Sequence, residues 1–261
     1  PWISSDVAPG PAAAPLLGGT LSGAGSVAGL GAYAMWDQHV YGLVSMYRAS
    51  QTGVSQPAAP DGAVDGFAPY WRVAYQNDFG SNYLEVGAYG MNARIARGFS
   101  AGGLAGANDS YTDYAVDATY QRPFGDDSLS VYGTYIHESQ TLDSSYPAGV
   151  SANPKDTLKM YKLNGTYHID GTYALTLGYF NINGTTDTGL YAPADVTGSA
   201  NGSPDSNGWI AQATYLPWEN VQMTLQYTAY TKFNGASNNY DGSGRNASDN
   251  NTLYLQLWVL W

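Results

Sequence analysis

Ten polar side chains carry most of the chemistry that this sequence could perform. They stand at alternate positions in short segments that are otherwise rich in Val, Leu, Ala and Tyr. Alternate residues of a β-strand face the same side, so strands in these segments would gather the ten side chains on one polar face. Such a face can line a passage whose mixed charges select polar solutes, or it can be a structural ion-pair network in a packed interior. The ten residues are Arg72, Gln76, Tyr83, Glu85, Asp113, Asp117, Glu138, Lys162, Tyr230 and Lys232.

Residues suited to metal, haem or hydrolytic chemistry are sparse. The chain has no Cys, which excludes thiolate-bound metals and a covalently attached c-type haem within it. His39, His137 and His168 do not stand at metal-ligand spacing on one strand face. His137 is next to Glu138 and Ser139, but neighbouring strand residues face opposite sides, and no Gly-x-Ser-x-Gly occurs. We therefore expect no catalytic residue, metal or cofactor in this chain, and no enzyme activity.

Eleven segments of about ten residues alternate with period two, which predicts β-strands. In the clearest, VQMTLQYTAYTKF, Val221, Met223 and Leu225 alternate with Gln222 and Thr224. No segment shows the sustained 3.6-residue period of a helix. The predicted strands are 26–36, 39–49, 68–77, 82–92, 112–122, 128–139, 157–169, 172–182, 208–216, 221–233 and 251–261.

The connections between these strands are sorted by length, since short and long ones alternate along the chain. The short ones carry hairpin-turn residues such as Asp-Gly, and they fall at 37–38, 78–81, 124–127, 170–171 and 218–220. The long ones are made of Gly, Ser, Asn, Asp, Pro and Ala, and they fall at 50–67, 93–111, 140–156, 183–207 and 234–250. Two architectures produce alternating strands: a soluble β-sandwich and an outer-membrane β-barrel.

Composition decides between the two architectures. Charged residues make up only 12 % of the chain, while Tyr (23) and Trp (7) are abundant. A barrel explains both features, because its outer face meets lipid and its aromatic residues form girdles at the interfaces, with short turns on the periplasmic side and long loops outside. The predicted fold is an all-β, antiparallel, up-and-down transmembrane barrel in the bacterial outer membrane. A net charge of −11 excludes nucleic acid as a partner.

The last predicted strand indicates which face meets the lipid. It follows a long loop, so in a barrel it runs towards the periplasm and closes the sheet. Its apolar alternate residues, which end in an aromatic at the terminus, are therefore the predicted lipid-facing set. They are Leu253, Leu255, Leu257, Val259 and Trp261.

Eleven strands are an odd number, whereas single-chain bacterial barrels have even numbers. The segment at 26–36 leads into a short turn, so a rising strand is expected before it. Residues 1–25 are rich in Pro, Gly and Ala and make a poor strand, which predicts an irregular external loop or plug there and a barrel over 26–261. We therefore expect this chain to be the C-terminal part of a longer barrel.

Several strings resemble one family of proteobacterial outer-membrane barrel proteins, the cytochrome c-associated porin-like family. They are APYWRVAYQ with VGAYGM, SVYGTYIHESQ, LGYFNINGTTDTGLY, GSPDSNGWIAQATYLPW and LQYTAYTKFNGASNNYDGSGRNASDNNTLYLQLW. The resemblance covers nearly the whole chain and is most specific in the C-terminal third. In that family a Cys-x-x-Cys-His haem motif lies upstream of the barrel, and this chain departs from the pattern because it has no Cys.

The residues and the resemblance leave three functions open. The first is a porin-like polar passage across the outer membrane. The second, implied by the resemblance, is a barrel sheath or partner of a c-type cytochrome in electron transfer across that membrane. The third is a closed structural or adhesive barrel. The candidate partners are outer-membrane lipid, a c-type cytochrome and further copies of the chain.

Overall fold

The computed structural model describes residues 10–18, 27–49, 62–97 and 108–259. These residues form one sheet of eleven strands in sequence order, each antiparallel to the next. The strands are β1 (Val27–Trp36), β2 (Val40–Ala49), β3 (Ala68–Phe79), β4 (Asn82–Ala96), β5 (Asn108–Phe124), β6 (Asp127–Thr141), β7 (Lys155–Ile169), β8 (Tyr173–Gly184), β9 (Ser206–Trp218), β10 (Val221–Lys232) and β11 (Thr252–Val259). The predicted all-β, antiparallel, up-and-down fold class is confirmed.

The short connections are tight turns whose residues suit their backbone. Asp37 and Gln38 have φ values of 49° and 59°, and Asp170 and Gly171 have 48° and 60°. Two successive positive φ values are the signature of the type I′ turn, whose twist matches that of the flanking strands. All five short turns therefore lie at one end of the sheet, and the strand ends that the longer connections join lie at the other, since neighbouring strands are antiparallel.

The two faces of the sheet differ in burial, and we call the face with the buried side chains the inner face. On it Ile136, Glu138 and Met160 are each 1 % exposed. The outer face carries exposed apolar residues across the sheet, such as Leu163 and Val116, and the register partner of Val116, Tyr135, is also exposed. From β4 to β10 burial therefore follows the alternation that the sequence shows, whereas β1 is exposed along its whole length.

The predicted lipid-facing residues of the last strand lie on the outer face. Leu253, Leu255, Leu257 and Val259 are all exposed, and Leu255 reaches 72 %. Their register partners on β10 include the exposed Leu225. Trp261, the fifth member of the predicted set, lies outside the described residues.

Within the described ranges, β1 pairs with β2 alone and β11 with β10 alone, so these two strands are the edges of the sheet. Both are odd-numbered strands of an up-and-down sheet and hence run in the same direction. The arrangement is compatible with a barrel, although β1 and β11 are not paired with each other. No helix among the described residues is long and apolar enough to cross a membrane.

Candidate functional site: the inner face of the sheet

Nine of the ten polar residues predicted to share a face lie on the inner face. The register shows this directly, because Arg72 pairs with the buried Tyr89, Asp113 with Glu138, and Lys162 with the buried Phe180. The tenth, Lys232, follows a register shift between Tyr230 and Lys232 that interrupts the alternation. A bulge of this kind inserts a residue and redirects the side chains beyond it. Lys232 lies at the long-loop end, where its Nζ is 3.7 Å from Asp205 Oδ2.

Five of the predicted residues form a single hydrogen-bonded group, which we call the Arg72 cluster. Arg72 Nη1 donates to Asp117 Oδ2 and Arg72 Nη2 donates to Glu85 Oε1, each at 2.7 Å. The hydroxyl of Tyr83 donates to Glu85 Oε2 at 2.8 Å and approaches Gln76 Oε1 at 3.1 Å. Paired and hydrogen-bonded in this way, the charges are tolerated on a partly enclosed face.

The Arg72 cluster depends on a glycine beneath it. A Cβ built on Gly87 would collide with Asp117 Oδ1 and would lie 2.8 Å from Arg72 Nη2. Gly87 is the register partner of Asp117, so the missing side chain makes room for the ion pair on the same face. Arg72 also lies over the ring of Tyr89, with its guanidinium carbon 5.4 Å from the ring centroid.

Asp113 and Glu138 face each other across β5 and β6, and we call them the carboxyl pair. Both are almost fully buried. Glu138 Oε2 accepts the backbone N–H of Leu16 at 2.7 Å, and Asp113 Oδ2 accepts the backbone N–H of Leu17 at 2.8 Å. Buried carboxyl oxygens need such donors, because an unpaired polar group in a low-dielectric interior is unfavourable.

The segment that supplies these donors, residues 10–18, lies across the inner face. Lys162 Nζ donates to the carbonyl of Gly18 at 3.3 Å, and the backbone N–H of Ala12 donates to Asn234 Oδ1 at 2.8 Å. Leu16 and Leu17 pack against a cluster of buried residues that includes Met91. All four polar contacts use the backbone of residues 10–18. Residues 1–9 and 19–25, the rest of the predicted irregular segment, lie outside the described residues.

Tyr230 is on the inner face but belongs to neither group of charges. Its ring is 5.6 Å from that of Phe180 and 4.9 Å from that of Phe233, both in edge-to-face geometry. Tyr240, from the loop that follows β10, continues this stack against Phe233 at 4.8 Å. These aromatic rings fill the long-loop end of the inner face, and they hold the loop after β10 against the sheet.

Buried aspartates hold the long loops in place, and the sequence pattern did not predict this role. Asp109 accepts the backbone N–H groups of Ser144 and Ser145, each at 3.0 Å. Asp187 accepts those of Ala152, Gly189 and Leu190 at 2.8–3.0 Å. Asp in a Gly-rich and Ser-rich loop is the available signal, since its carboxylate commonly accepts nearby backbone N–H groups.

Two loop aspartates have perturbed pKa values. Burial alone raises the pKa of Asp187, but hydrogen bonds from Ser151 and from backbone N–H groups outweigh burial and hold the pKa far below its ordinary value. The same balance between desolvation and hydrogen bonds from backbone N–H groups lowers the pKa of Asp241. Both carboxylates are therefore ionised at neutral pH and act as fixed acceptors that organise their loops.

The three histidines lie in different places. His39 Nδ1 is 3.0 Å from the carbonyl of Gln76, next to a short turn. His137 is on the outer face beside Ser139, and His168 pairs in register with Ser128. Among the described residues, no three His, Cys, Asp or Glu side chains are grouped so as to hold a metal ion.

Comparison with known proteins adds no family assignment. Neither a protein-family model nor a curated sequence matches this chain.

Proposed function

We propose that this chain is a porin-like barrel of the bacterial outer membrane. Polar solutes cross along its inner face, and residues 10–18 form a plug that narrows the passage. This proposal takes the first of the three functions that the sequence left open. It assigns outer-membrane lipid as the partner of the outer face and needs no cofactor in this chain.

The main support for the proposal is that the outer face is apolar and the inner face holds charged and polar side chains, the reverse of a water-soluble protein. The outer face exposes large apolar residues, with Leu163 and Leu177 at 54 % and 58 %. The inner face holds the Arg72 cluster and the carboxyl pair. Water-soluble proteins put contiguous apolar surface inside, and a large exposed apolar face indicates contact with another apolar phase. A lipid environment explains why the polar side chains are enclosed and the leucines are exposed.

Aromatic residues flank this apolar surface at a repeated spacing. The outer face carries Tyr161 and Tyr167 on β7, Tyr173 and Tyr179 on β8, and Trp209 and Tyr215 on β9. Each pair is six residues apart, which is about 20 Å along a strand. Across strands, the rings of Tyr173 and Tyr215 stack at 5.0 Å, and those of Tyr179 and Trp209 are 4.8 Å apart. Two such rows resemble the aromatic girdles that border the apolar band of a membrane barrel.

The edges at β1 and β11 set a requirement for the proposal. Hydrocarbon offers no hydrogen-bond partners, so a sheet in a membrane has no open edge. Because β1 and β11 run in the same direction, one further strand antiparallel to both would pair the two edges and give an even strand number.

Liposome swelling tests the passage. The full-length protein, assembled in liposomes, is expected to admit a small polar solute such as glycine, and a version lacking residues 10–18 is expected to admit it faster. Heat-denatured protein is the control. If folded, inserted protein of both kinds excludes glycine, the passage is contradicted.

The partnership with a c-type cytochrome remains a prediction from the resemblance. Soret absorbance of the protein purified from native membranes tests this partnership.

A further inference from the structure

The inner face of β9 and β10 carries three copies of the pattern Gln-x-Thr. We call these six side chains the neutral wall: Gln212, Thr214, Gln222, Thr224, Gln226 and Thr228. In each copy the Gln amide nitrogen donates to the Thr hydroxyl two residues on, at 3.1–3.3 Å. Side chains two residues apart on a strand share a face, so the repeated pattern forms a continuous polar surface.

Pairing between strands joins the copies into one surface. Thr214 and Thr224 are register partners whose hydroxyl oxygens are 3.4 Å apart, and Gln212 pairs with Gln226. Up to the bulge after Tyr230, the inner positions of β8–β11 that the structure describes hold no Asp, Glu, Lys, Arg or His. This half of the inner face therefore differs from the half at β3–β6, which holds the Arg72 cluster and the carboxyl pair.

Aromatic side chains border the neutral wall on β11. Trp258 is the register partner of Gln222, and Tyr254 is the register partner of Gln226. Trp258 is 54 % exposed, so much of its ring is open to contact. Gln222, near the short-turn end, and Gln212, in the middle of β9, are half-buried, so their amides are the accessible ones. The three Thr residues of the wall and Gln226 are buried.

These groups suit one class of solute. A Gln amide and a Thr hydroxyl each both donate and accept hydrogen bonds, and neither carries a charge. An aromatic ring offers a flat apolar face with a polar tip. Sugars combine the matching features, because their hydroxyls both donate and accept and their rings have apolar C–H faces.

We propose that the neutral wall, together with Trp258, is a binding site for a neutral saccharide in transit. The inference rests on the proposed passage and names the class of its solute. Binding is non-covalent, and the wall acts as a low-affinity surface from which the solute is released, as conduction requires.

Current block by maltotriose tests this site. With full-length protein in a planar bilayer, millimolar maltotriose is expected to reduce the open-channel current reversibly, while citrate and spermidine at equal concentration do not reproduce this block. Gln222→Leu and Trp258→Ala are each expected to raise the concentration for half-block by tenfold or more. Trp209→Ala, which removes an exposed aromatic residue of the outer face, is expected to leave it unchanged.

Two results would overturn the saccharide site: an open channel that maltotriose does not block, or a block of equal strength in the wild type and both inner-face variants. If the bilayer shows no channel at all, the proposed passage fails instead. Calorimetric titration of the purified protein with maltotriose then decides the site independently, since binding that both variants weaken supports it and heat no different from buffer rejects it.

Discussion

The backbone N–H of Leu17 donates to Asp113 Oδ2 at 2.8 Å, although the two residues are 96 positions apart in the sequence. Through this bond and that of Leu16 to Glu138, an irregular segment rests on the carboxyl pair inside the sheet. The contact gives the buried carboxylates hydrogen-bond donors, and it places residues 10–18 where solutes of the proposed passage would move.

Labelling of single cysteines tests the position of residues 10–18, and the chain is suited to it because it has no Cys. Leu17→Cys is expected to react slowly with a maleimide, whereas Ala14→Cys, at an exposed position, reacts fast. Adding Asp113→Ala removes the acceptor, and loss of one hydrogen bond, worth about 0.5–1.5 kcal/mol, is expected to speed labelling of the Leu17→Cys variant roughly two- to tenfold. Equal rates with and without Asp113 would show that this bond does not hold the segment.

Gly87→Ala is expected to disrupt the Arg72 cluster, because the added methyl group meets Asp117 and Arg72. Overpacking of this kind lowers the free energy of unfolding by about 1–3 kcal/mol. Gly165→Ala is the matched control, since a Cβ at this strand glycine meets nothing within 4 Å. Thermal unfolding of both variants in one detergent makes the comparison. A Gly87→Ala variant as stable as Gly165→Ala would show that the Arg72 cluster accommodates the added methyl group.

Asp187 is expected to make the stability of the 185–205 loop depend on pH. Its folded pKa is lowered, so its contribution to stability is complete above the unfolded pKa of about 3.9 and is lost as the pH falls towards the folded value. Asp187→Asn is expected to destabilise the 185–205 loop by about 1–3 kcal/mol at pH 7, and the difference from wild type is expected to shrink below about pH 4.

Hydrogen exchange of the 185–205 loop at several pH values measures this effect. Asp126→Asn, in a short turn at the opposite end of the sheet, is the control and is expected to leave that loop unchanged. A difference between wild type and Asp187→Asn that stays constant from pH 7 down to pH 2 contradicts the role assigned to the Asp187 carboxylate.

Two neighbouring residues on β7 test which face meets lipid. Leu163 is exposed on the outer face, and Asn164 lies on the inner face. In a bilayer, Leu163→Lys is expected to lower the stability of the inserted protein by about 2–4 kcal/mol near the midplane, while Asn164→Lys is expected to lower it less. Assembly into vesicles, followed by the shift in gel mobility on heating, reports the difference. A Leu163→Lys variant that assembles as well as wild type would place the outer face in water.

Much of the fold could be predicted from the sequence because a strand's alternation is a local property. Period two located all eleven strands, and it assigned Arg72, Glu85 and Asp117 to one face. Short and long connections could be separated because turn residues such as Asp170 and Gly171 are specific for tight hairpins.

What the sequence could not show depends on contacts between distant residues. Alternation puts Asp113 and Glu138 on the inner face, but it cannot show that Leu16 and Leu17 supply their hydrogen-bond donors. The bulge before Lys232 adds a residue to the strand, and a rule of strict alternation cannot anticipate it. The role of Asp187 was missed for the same reason, since its donors at 151–153 belong to a different loop.

Single-channel conductance of the full-length protein, with and without residues 10–18, is the most direct test of a polar passage narrowed by this segment. We expect discrete conductance steps for the wild type and larger steps after deletion of the segment, because the inner face then has more open cross-section. Folded and inserted protein that gives no conductance in either form, or steps that the deletion leaves unchanged, would contradict a polar passage narrowed by residues 10–18.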